Sequence, residues 1–121
     1  MSNTILVVDD LSLSRVILRA RLSAACYQVR LACSGIEALE IARAELPDLV
    51  LMDCEMPGLD GYELAFTIRD TPALSKTYII LHTSLNSEMS LSYANQVGAN
   101  EALTKFDASE LVHAMLRGVK E

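Results

Sequence analysis

The sequence lacks the features that mark several large protein classes. Its 121 residues include only two histidines and three cysteines, and the cysteines form no CxxC pair. An odd number of cysteines without metal-binding spacing favours reduced thiols, and two scattered histidines argue against a zinc site. No apolar run approaches the roughly 20 residues that cross a bilayer, and no basic segment opens the chain. We therefore expect a cytoplasmic protein without a membrane span or a secretory signal.

Positive charge is also in short supply. Ten Lys and Arg residues against sixteen Asp and Glu residues give a net charge of −6. Phosphate backbones and anionic membranes select basic surfaces, so we expect neither nucleic acid nor a membrane as a direct partner. The absence of GxGxxG and GxxxxGK patterns argues against dinucleotide binding and P-loop chemistry.

What the chain contains is an alternation of short apolar runs with stretches of helical periodicity. This alternation is typical of a parallel sheet with helices on both faces. We predict a single domain over 1–121 with an α/β, (βα)5 doubly wound, flavodoxin-like fold in strand order 2-1-3-4-5. The predicted strands cover 5–8, 27–32, 49–52, 78–81 and 99–104, and the predicted helices cover 12–25, 34–45, a short stretch around 64–68, 87–97 and 107–119.

Local patterns predict how some of these elements pack and where they begin or end. The first helix carries a one-sided apolar stripe, which we expect to face the sheet, at Leu13, Val16, Ile17, Ala20 and Ala24. Ser34 and Glu37 form a capping-box pattern at the start of the second helix. Gly98 is a natural C-terminal cap for the fourth helix.

Polar residues follow four of the predicted strands at the points where the strands end. They are Asp9 and Asp10 after the first strand, Asp53 after the third, Thr83 and Ser84 after the fourth, and Lys105 after the fifth. Ligands of open parallel sheets bind outside the carboxyl ends of the strands. Because the first and third strands are neighbours in the predicted order, the three aspartates should converge there. Each residue alone would more often be a turn former or a cap, so the prediction rests on the set.

The chemistry of this set suits a metal ion and a phosphoryl group. Neighbouring carboxylates repel one another, and a divalent cation offsets that repulsion. An all-oxygen ligand set with few carboxylates suits Mg²⁺. Lys105 adds a positive charge and Thr83 adds a hydroxyl donor for an incoming phosphoryl group. Since carboxylates form aspartyl phosphates, we predict Asp53 as the acceptor, with Asp9 and Asp10 left for the metal.

Five segments carry a resemblance to a known family: 6–10 (LVVDD), 52–61 (MDCEMPGLDG), 83–84 (TS), 97–99 (VGA) and Lys105. Together they resemble the receiver domain of two-component response regulators, over about 3–119 of the chain. The resemblance implies a signalling switch, which catalyses only its own phosphorylation and dephosphorylation. It also implies that Asp53 accepts a phosphoryl group from a phosphohistidine on a sensor histidine kinase.

The resemblance further implies roles for individual residues. Asp10, Asp53 and the backbone carbonyl of Glu55 would bind Mg²⁺ directly, and Asp9 would act mainly through a metal-bound water. Thr83 and Lys105 would contact the phosphoryl oxygens and, moving inward, would shift the loop at 84–87. The output face is then expected near the fourth helix, the fifth strand and the fifth helix, where Leu91, Val112 and Met115 are either part of this face or part of the core.

Two more segments, 80–85 (ILHTSL) and 103–107 (LTKFD), are similar to the receiver domain of CheV-type chemotaxis coupling proteins. This narrower resemblance implies a role in chemotaxis and the chemotaxis kinase as the partner. In that family the receiver follows a coupling domain, so the chain is either an excised domain or a free-standing receiver.

Two positions depart from the usual receiver pattern. Phe106 stands where most receivers have a proline joined by a cis peptide, which leaves the isomer of the Lys105–Phe106 bond open. Ala102 stands where receivers that signal through a swivelling ring carry an aromatic residue. Another residue must therefore pack behind Thr83, or the conformational signal is weaker.

Two other classes of function remain open at this point. One is a phosphatase or phosphotransferase that acts on small molecules through an aspartyl phosphate. It lacks the usual Asp-x-Asp acid, for which Glu55 is a poor substitute, and it lacks a cap insertion. The other is an inert interaction module, which would not need the full acidic set with Thr83 and Lys105.

Overall fold

The computed structural model describes residues 4–83 and 87–104 as alternating strands and helices. The strands are β1 (Thr4–Val8), β2 (Gln28–Ala32), β3 (Leu49–Asp53), β4 (Tyr78–Thr83) and β5 (Glu101–Thr104). The helices are α1 (Ser12–Ala24), α2 (Gly35–Glu45), α3 (Gly61–Asp70) and α4 (Ser87–Val97), with a short 3₁₀ helix at Pro72–Leu74. The helix predicted at 107–119 lies outside the described residues.

All five strands are parallel and form one sheet in the order β2-β1-β3-β4-β5. The predicted strand order and fold class are thus confirmed. Every residue of β3 is buried, which agrees with a central strand covered on both faces. β2 lies at an edge and alternates between exposed and less exposed positions, as its sequence pattern predicts.

Within the described residues, the core consists of two apolar clusters, one on each face of the sheet. Alternate residues of each strand contribute to different clusters because side chains of a strand point to opposite faces. In β1, Leu6 and Val8 join α2, α3 and α4 on one face, whereas Ile5 and Val7 join α1 on the other. The sheet is therefore enclosed on both sides, and its carboxyl edge is left for a site.

The helix ends follow local capping chemistry. The Ser34 hydroxyl accepts a hydrogen bond from the Glu37 amide at 3.2 Å, while the Glu37 carboxylate accepts from the Cys33 amide at 2.7 Å. The predicted Ser34 cap is confirmed, although the return bond reaches one residue further back than in a standard capping box. Gly98 follows α4 with a φ of +80°, a conformation that favours glycine.

The predicted inward face of α1 is wrong. Leu13, Val16 and Ile17 are exposed, and the buried residues of α1 are Leu18 and Leu22. The sequence of this helix offers two adjacent apolar stripes. Leu18 and Leu22, which are four residues apart, pack on the sheet. The adjacent stripe contains more apolar residues but does not pack on the sheet.

At the amino edge of the sheet, one arginine joins several elements. Arg69, in the last turn of α3, donates hydrogen bonds of 2.6–3.0 Å to the carbonyls of Ser75, Thr77 and Gly98 and to the Asn100 side-chain oxygen. The same Asn100 oxygen accepts from the Ile79 amide at 2.7 Å. Burial lowers the pKa of the Arg69 guanidinium. This network connects α3 with β4 and with the chain segment between α4 and β5.

Candidate functional site

The carboxyl edge of the sheet brings three aspartates together. Asp9 directly follows β1, Asp53 ends β3, and these strands pair with Val8 opposite Met52. One carboxylate oxygen from each of Asp9, Asp10 and Asp53 lies within 4.8 Å of the others. Asp9 and Asp53 are buried, at 4% and 2% exposed, whereas Asp10 is exposed. The structure therefore shows the convergence that the strand order predicts.

Backbone amides hold the two buried carboxylates in place. The Leu11 amide donates to Asp9 Oδ1 at 2.9 Å, and the Glu55 amide donates to Asp53 Oδ1 at 3.0 Å. In both cases the donor lies two residues after the aspartate, which is the geometry of an Asx turn. Arg15, in α1, also reaches this edge and donates to the Asp9 carbonyl at 2.7 Å. The carboxylates are thus oriented by local contacts.

The donor set fits a small, hard divalent cation. All three side chains offer carboxylate oxygens, the ligand type that Mg²⁺ prefers. Two oxygens on one Mg²⁺ lie at most about 4.2 Å apart, given ligand distances of about 2.1 Å. Separations within 4.8 Å are therefore close to what one ion requires.

Thr83 and Glu55 form the polar contact beside the aspartates. Thr83 ends β4, one residue beyond His82, the strand partner of Asp53, and it is fully buried. Its hydroxyl donates to Glu55 Oε2 at 2.7 Å. The other predicted members at this edge, Ser84 and Lys105, lie outside the described residues, as do Phe106, Val112, Met115 and the side chain of Leu91.

A buried thiol and a half-buried tyrosine lie next to the acidic cluster. Burial raises the pKa of the Cys54 thiol to about 12, so this side chain stays neutral. Burial also raises the pKa of Tyr62 in the first turn of α3, with Cys54 as a further cause. The buried Tyr62 hydroxyl makes no hydrogen bond of normal geometry among the described residues, although Cys54 and Thr83 lie close enough to affect its pKa. The ring of Tyr62 lies 5.3 Å from that of Tyr93 in α4, tilted by 59°.

Tyr62 is a neighbour of the site that the sequence patterns did not predict. The available signal was its position directly after Asp60 and Gly61, since Asp60 starts α3 through a capping box with Glu63. A residue in the first turn of a helix that begins beside the site lies close to that site.

Gly61 is required by a close backbone approach. A Cβ atom at this position would lie 2.5 Å from the Asp53 carbonyl oxygen and 2.9 Å from Cys54 Cα. Both neighbours are backbone atoms and cannot rotate away. Gly61 thus lets α3 begin directly against the chain that carries Asp53.

A family model places this geometry among known proteins. The model for the response regulator receiver domain matches residues 5–116. The chain belongs to this family. Receiver domains are the phosphoryl-accepting switches of two-component signalling, and this chain is one of them.

Individual relatives agree with the assignment of this receiver domain. It is 34% identical over 119 residues to the response regulator PleD of Caulobacter vibrioides, covering 98% of the chain but 26% of PleD. The chain thus spans about a quarter of the length of that relative. The solved structure of the chemotaxis protein CheY4 of Vibrio cholerae superimposes with a TM-score of 0.91 at 28% identity, covering 98% of this chain and 100% of CheY4.

A third relative was solved with ligands at its site. The response regulator TrrA of Thermotoga maritima, in complex with Mg²⁺ and beryllium fluoride, has a TM-score of 0.86 and 33% identity to this receiver, over 97% of this chain and 99% of TrrA. The narrower CheV-type resemblance stays a prediction. Within 4–83 and 87–104, no helix combines the length and the apolar character needed to cross a membrane.

Proposed function

We propose that this receiver domain accepts a phosphoryl group on the Asp53 carboxylate in the presence of Mg²⁺. The observation that carries the proposal is the meeting of three carboxylates at one edge of the sheet, with the hydroxyl of Thr83 beside them. Of the three, Asp53 ends the central strand and is the most deeply buried. A buried side chain on a rigid strand is well suited to present one oxygen to a reaction partner.

The ion would be held by carboxylates of Asp9, Asp10 and Asp53 and by the backbone carbonyl of Glu55. Mg²⁺ supplies positive charge that offsets the repulsion among the carboxylates and the incoming phosphoryl oxygens. Asp10 and Asp53 are proposed as direct ligands, and Asp9 as a ligand mainly through water. The all-oxygen donor set and its spacing support this assignment.

The proposed reaction is a single displacement at phosphorus. The N–P bond of a phosphohistidine breaks while an Asp53 oxygen forms the new O–P bond, and the leaving imidazole takes up a proton. Thr83 is proposed to donate its hydroxyl proton in a hydrogen bond to a phosphoryl oxygen, and Lys105 to pair with another. The catalysis proposed for this chain is limited to gain and loss of its own phosphoryl group.

The partner that matches this chemistry is a sensor histidine kinase. Similarity to the chemotaxis protein CheY4 and the CheV-type segments support the chemotaxis kinase as the donor. We propose a single receiver domain over 1–121 that acts in the cytoplasm, with a covalently linked coupling domain as a possible neighbour in a longer chain. Neither nucleic acid nor membrane is proposed as a direct partner, in agreement with the net charge of −6.

Phosphate incorporation from acetyl phosphate tests the acceptor. The wild-type chain should gain one phosphoryl group per molecule in Mg²⁺, and Asp53→Asn should gain none while keeping its circular dichroism spectrum. The matched control is Asp70→Asn, at an exposed position on α3, which should be labelled like the wild type. Unchanged labelling of Asp53→Asn would refute the assignment.

Thermal unfolding with and without Mg²⁺ tests the metal site separately. A ligand at ten times its Kd stabilises the folded state by about 1.4 kcal/mol. Millimolar Mg²⁺ should therefore raise the melting temperature of the wild type and leave that of Asp53→Asn almost unchanged. The absence of any Mg²⁺ effect on the wild type would favour an inert interaction module.

A further inference from the structure

The hydroxyl of Thr83 is already in use in the resting structure. It donates to Glu55 Oε2 at 2.7 Å, and Thr83 is 0% exposed. A hydroxyl group has one proton to donate. Thr83 therefore cannot serve Glu55 and a phosphoryl oxygen at once, and its move to a phosphoryl group takes a donor away from Glu55.

The hydroxyl of Tyr62 is the complementary case, a buried donor that makes no hydrogen bond of normal geometry among the described residues. Buried polar atoms are nearly always hydrogen-bonded, so such an exception calls for a reason. Cys54, Thr83 and Glu55 all affect the pKa of Tyr62, so all three side chains lie close to its hydroxyl. The Tyr62 hydroxyl is thus adjacent to the contact between Thr83 and Glu55 that the proposed phosphorylation would break.

The ring of Tyr62 contacts a ring of α4, so a movement of Tyr62 would change that contact. It packs on Tyr93 of α4 with ring centroids 5.3 Å apart. Beside it, between α3 and α4, is an open groove of about 360 Å³ lined by Leu59, Tyr62, Phe66 and Val97 among others. The groove leaves the ring free to shift without overpacking.

We propose that Glu55 exchanges one donor for another when Asp53 is phosphorylated. Thr83 leaves Glu55 and donates to a phosphoryl oxygen, and the Tyr62 hydroxyl takes its place on the Glu55 carboxylate. Every proton stays on its own oxygen, and only hydrogen-bond acceptors change. Because the phosphoryl group adds negative charge near the Glu55 carboxylate, a hydrogen bond donated to that carboxylate becomes more favourable. Glu55 and Tyr62 are thus positioning residues, and this inference rests on the proposed role of Asp53.

The exchange would carry the change at Asp53 to α4. Tyr62 moves towards Glu55, and its contact with Tyr93 loosens. Ala102, in β5, leaves no aromatic ring at the position where many receivers carry one. The Tyr62–Tyr93 pair supplies a ring contact on the other side of Thr83, between α3 and α4.

Beryllium fluoride with Mg²⁺ is a suitable probe, because TrrA was solved with both. Its affinity is measured by calorimetry for the wild type, for Tyr62→Phe and for Tyr27→Phe, a half-buried tyrosine after α1. Tyr62→Phe should bind the probe about tenfold more weakly, since a hydrogen bond to a charged group is lost only in the bound state. Its melting temperature without ligands should be equal to or above that of the wild type. Tyr27→Phe should bind within about twofold of the wild type.

A double-mutant cycle shows whether Tyr62 acts through Glu55. Glu55 is exposed, so Glu55→Ala should fold. Without the carboxylate, Tyr62→Phe should change probe affinity by less than about twofold. Equal affinities of wild type and Tyr62→Phe, or a tenfold loss that persists in the Glu55→Ala background, would overturn the exchange while leaving Asp53 as the acceptor. Failure of the wild type to bind the probe would instead overturn the proposed function and the exchange with it.

Discussion

The two edges of the parallel sheet use polar groups in opposite ways. At the amino edge, Arg69 and Asn100 meet carbonyls and an amide at 2.6–3.0 Å, so donors and acceptors are matched. At the carboxyl edge, three carboxylate oxygens lie within 4.8 Å of one another, and the buried hydroxyl of Tyr62 makes no hydrogen bond of normal geometry among the described residues. One edge stabilises the fold through matched donors and acceptors, and the other gathers carboxylates whose mutual repulsion a cation would offset.

The largest expected effect comes from breaking the amino edge. Arg69→Met removes four hydrogen bonds and leaves backbone carbonyls without their donor, so the free energy of unfolding should fall by about 2–4 kcal/mol. Urea denaturation followed by circular dichroism measures the loss. Arg43→Met, at an exposed position in α2, is the matched control and should stay within about 0.5 kcal/mol.

Phosphate incorporation by the folded Arg69→Met protein shows whether the amino edge affects only stability or also the site. Below its unfolding transition, Arg69→Met should still gain phosphate from acetyl phosphate at the wild-type level. A loss of stability below about 1 kcal/mol, or a selective loss of labelling, would contradict the division between the edges.

A smaller but more local effect is expected at Gly61. The Cβ of Gly61→Ala would lie 2.5 Å from the Asp53 carbonyl oxygen, so the backbone must shift at a cost of about 1–3 kcal/mol. Because that shift moves Asp53, phosphate labelling should also slow markedly, by up to about a hundredfold. Labelling rates and urea denaturation give the two values.

Gly58 provides the control for this prediction. Its φ is +76°, but an added Cβ would meet nothing within 4 Å. Gly58→Ala should therefore cost about 1 kcal/mol through backbone strain alone and leave the labelling rate unchanged. Equal labelling rates of the Gly61 and Gly58 variants would show that the close approach at Gly61 does not position Asp53.

The smallest effect concerns the reactivity of Cys54, which lies next to the acidic cluster. Cys54 is 2% exposed and burial raises its pKa to about 12, whereas Cys26 and Cys33 are exposed. At pH 8, a thiol reagent should react rapidly with two thiols of the native protein and with the third only after unfolding, because thiolate is the reactive form. A variant with serine at both Cys26 and Cys33 should show no rapid reaction, and rapid reaction there would mean that water reaches Cys54.

The same pKa shift has a defined effect on stability. The raised pKa keeps Cys54 neutral in the folded protein, whereas the unfolded thiol ionises near pH 8.5. The stabilisation that Cys54 gives the folded state is therefore complete below about pH 8.5. It is lost as the pH rises towards 12. The free energy of unfolding, measured by denaturation, should decline between pH 8 and 10. The decline should be smaller in Cys54→Ala.

Much of this architecture could be predicted from the sequence because it depends on repeated, short-range patterns. Apolar runs such as Leu49–Met52 predict central parallel strands, and the strand order then brings Asp9 and Asp53 to one edge. The inward face of α1 was predicted wrongly, because a count of apolar residues does not distinguish two adjacent stripes. Leu18 and Leu22 are recognised only once the sheet they pack on is known.

The details of the site were less accessible to sequence reasoning. The bond between Thr83 and Glu55 joins side chains 28 residues apart, and no periodicity encodes which rotamer brings them together. The buried phenol of Tyr62 depends likewise on how α3 lies over Cys54. Lys105 stays a prediction, since it lies outside the described residues.

The complete enclosure of β3 limits what can respond to a chemical change at its end. All five residues are buried and paired with β4, and the first four are also paired with β1. A strand held in this way cannot retreat when a bulky anion is attached to Asp53. The surrounding loops and helix ends must therefore move to make room for the phosphoryl group. The surface that a partner binds can vary at these loops and helix ends while the chemistry at Asp53 stays the same.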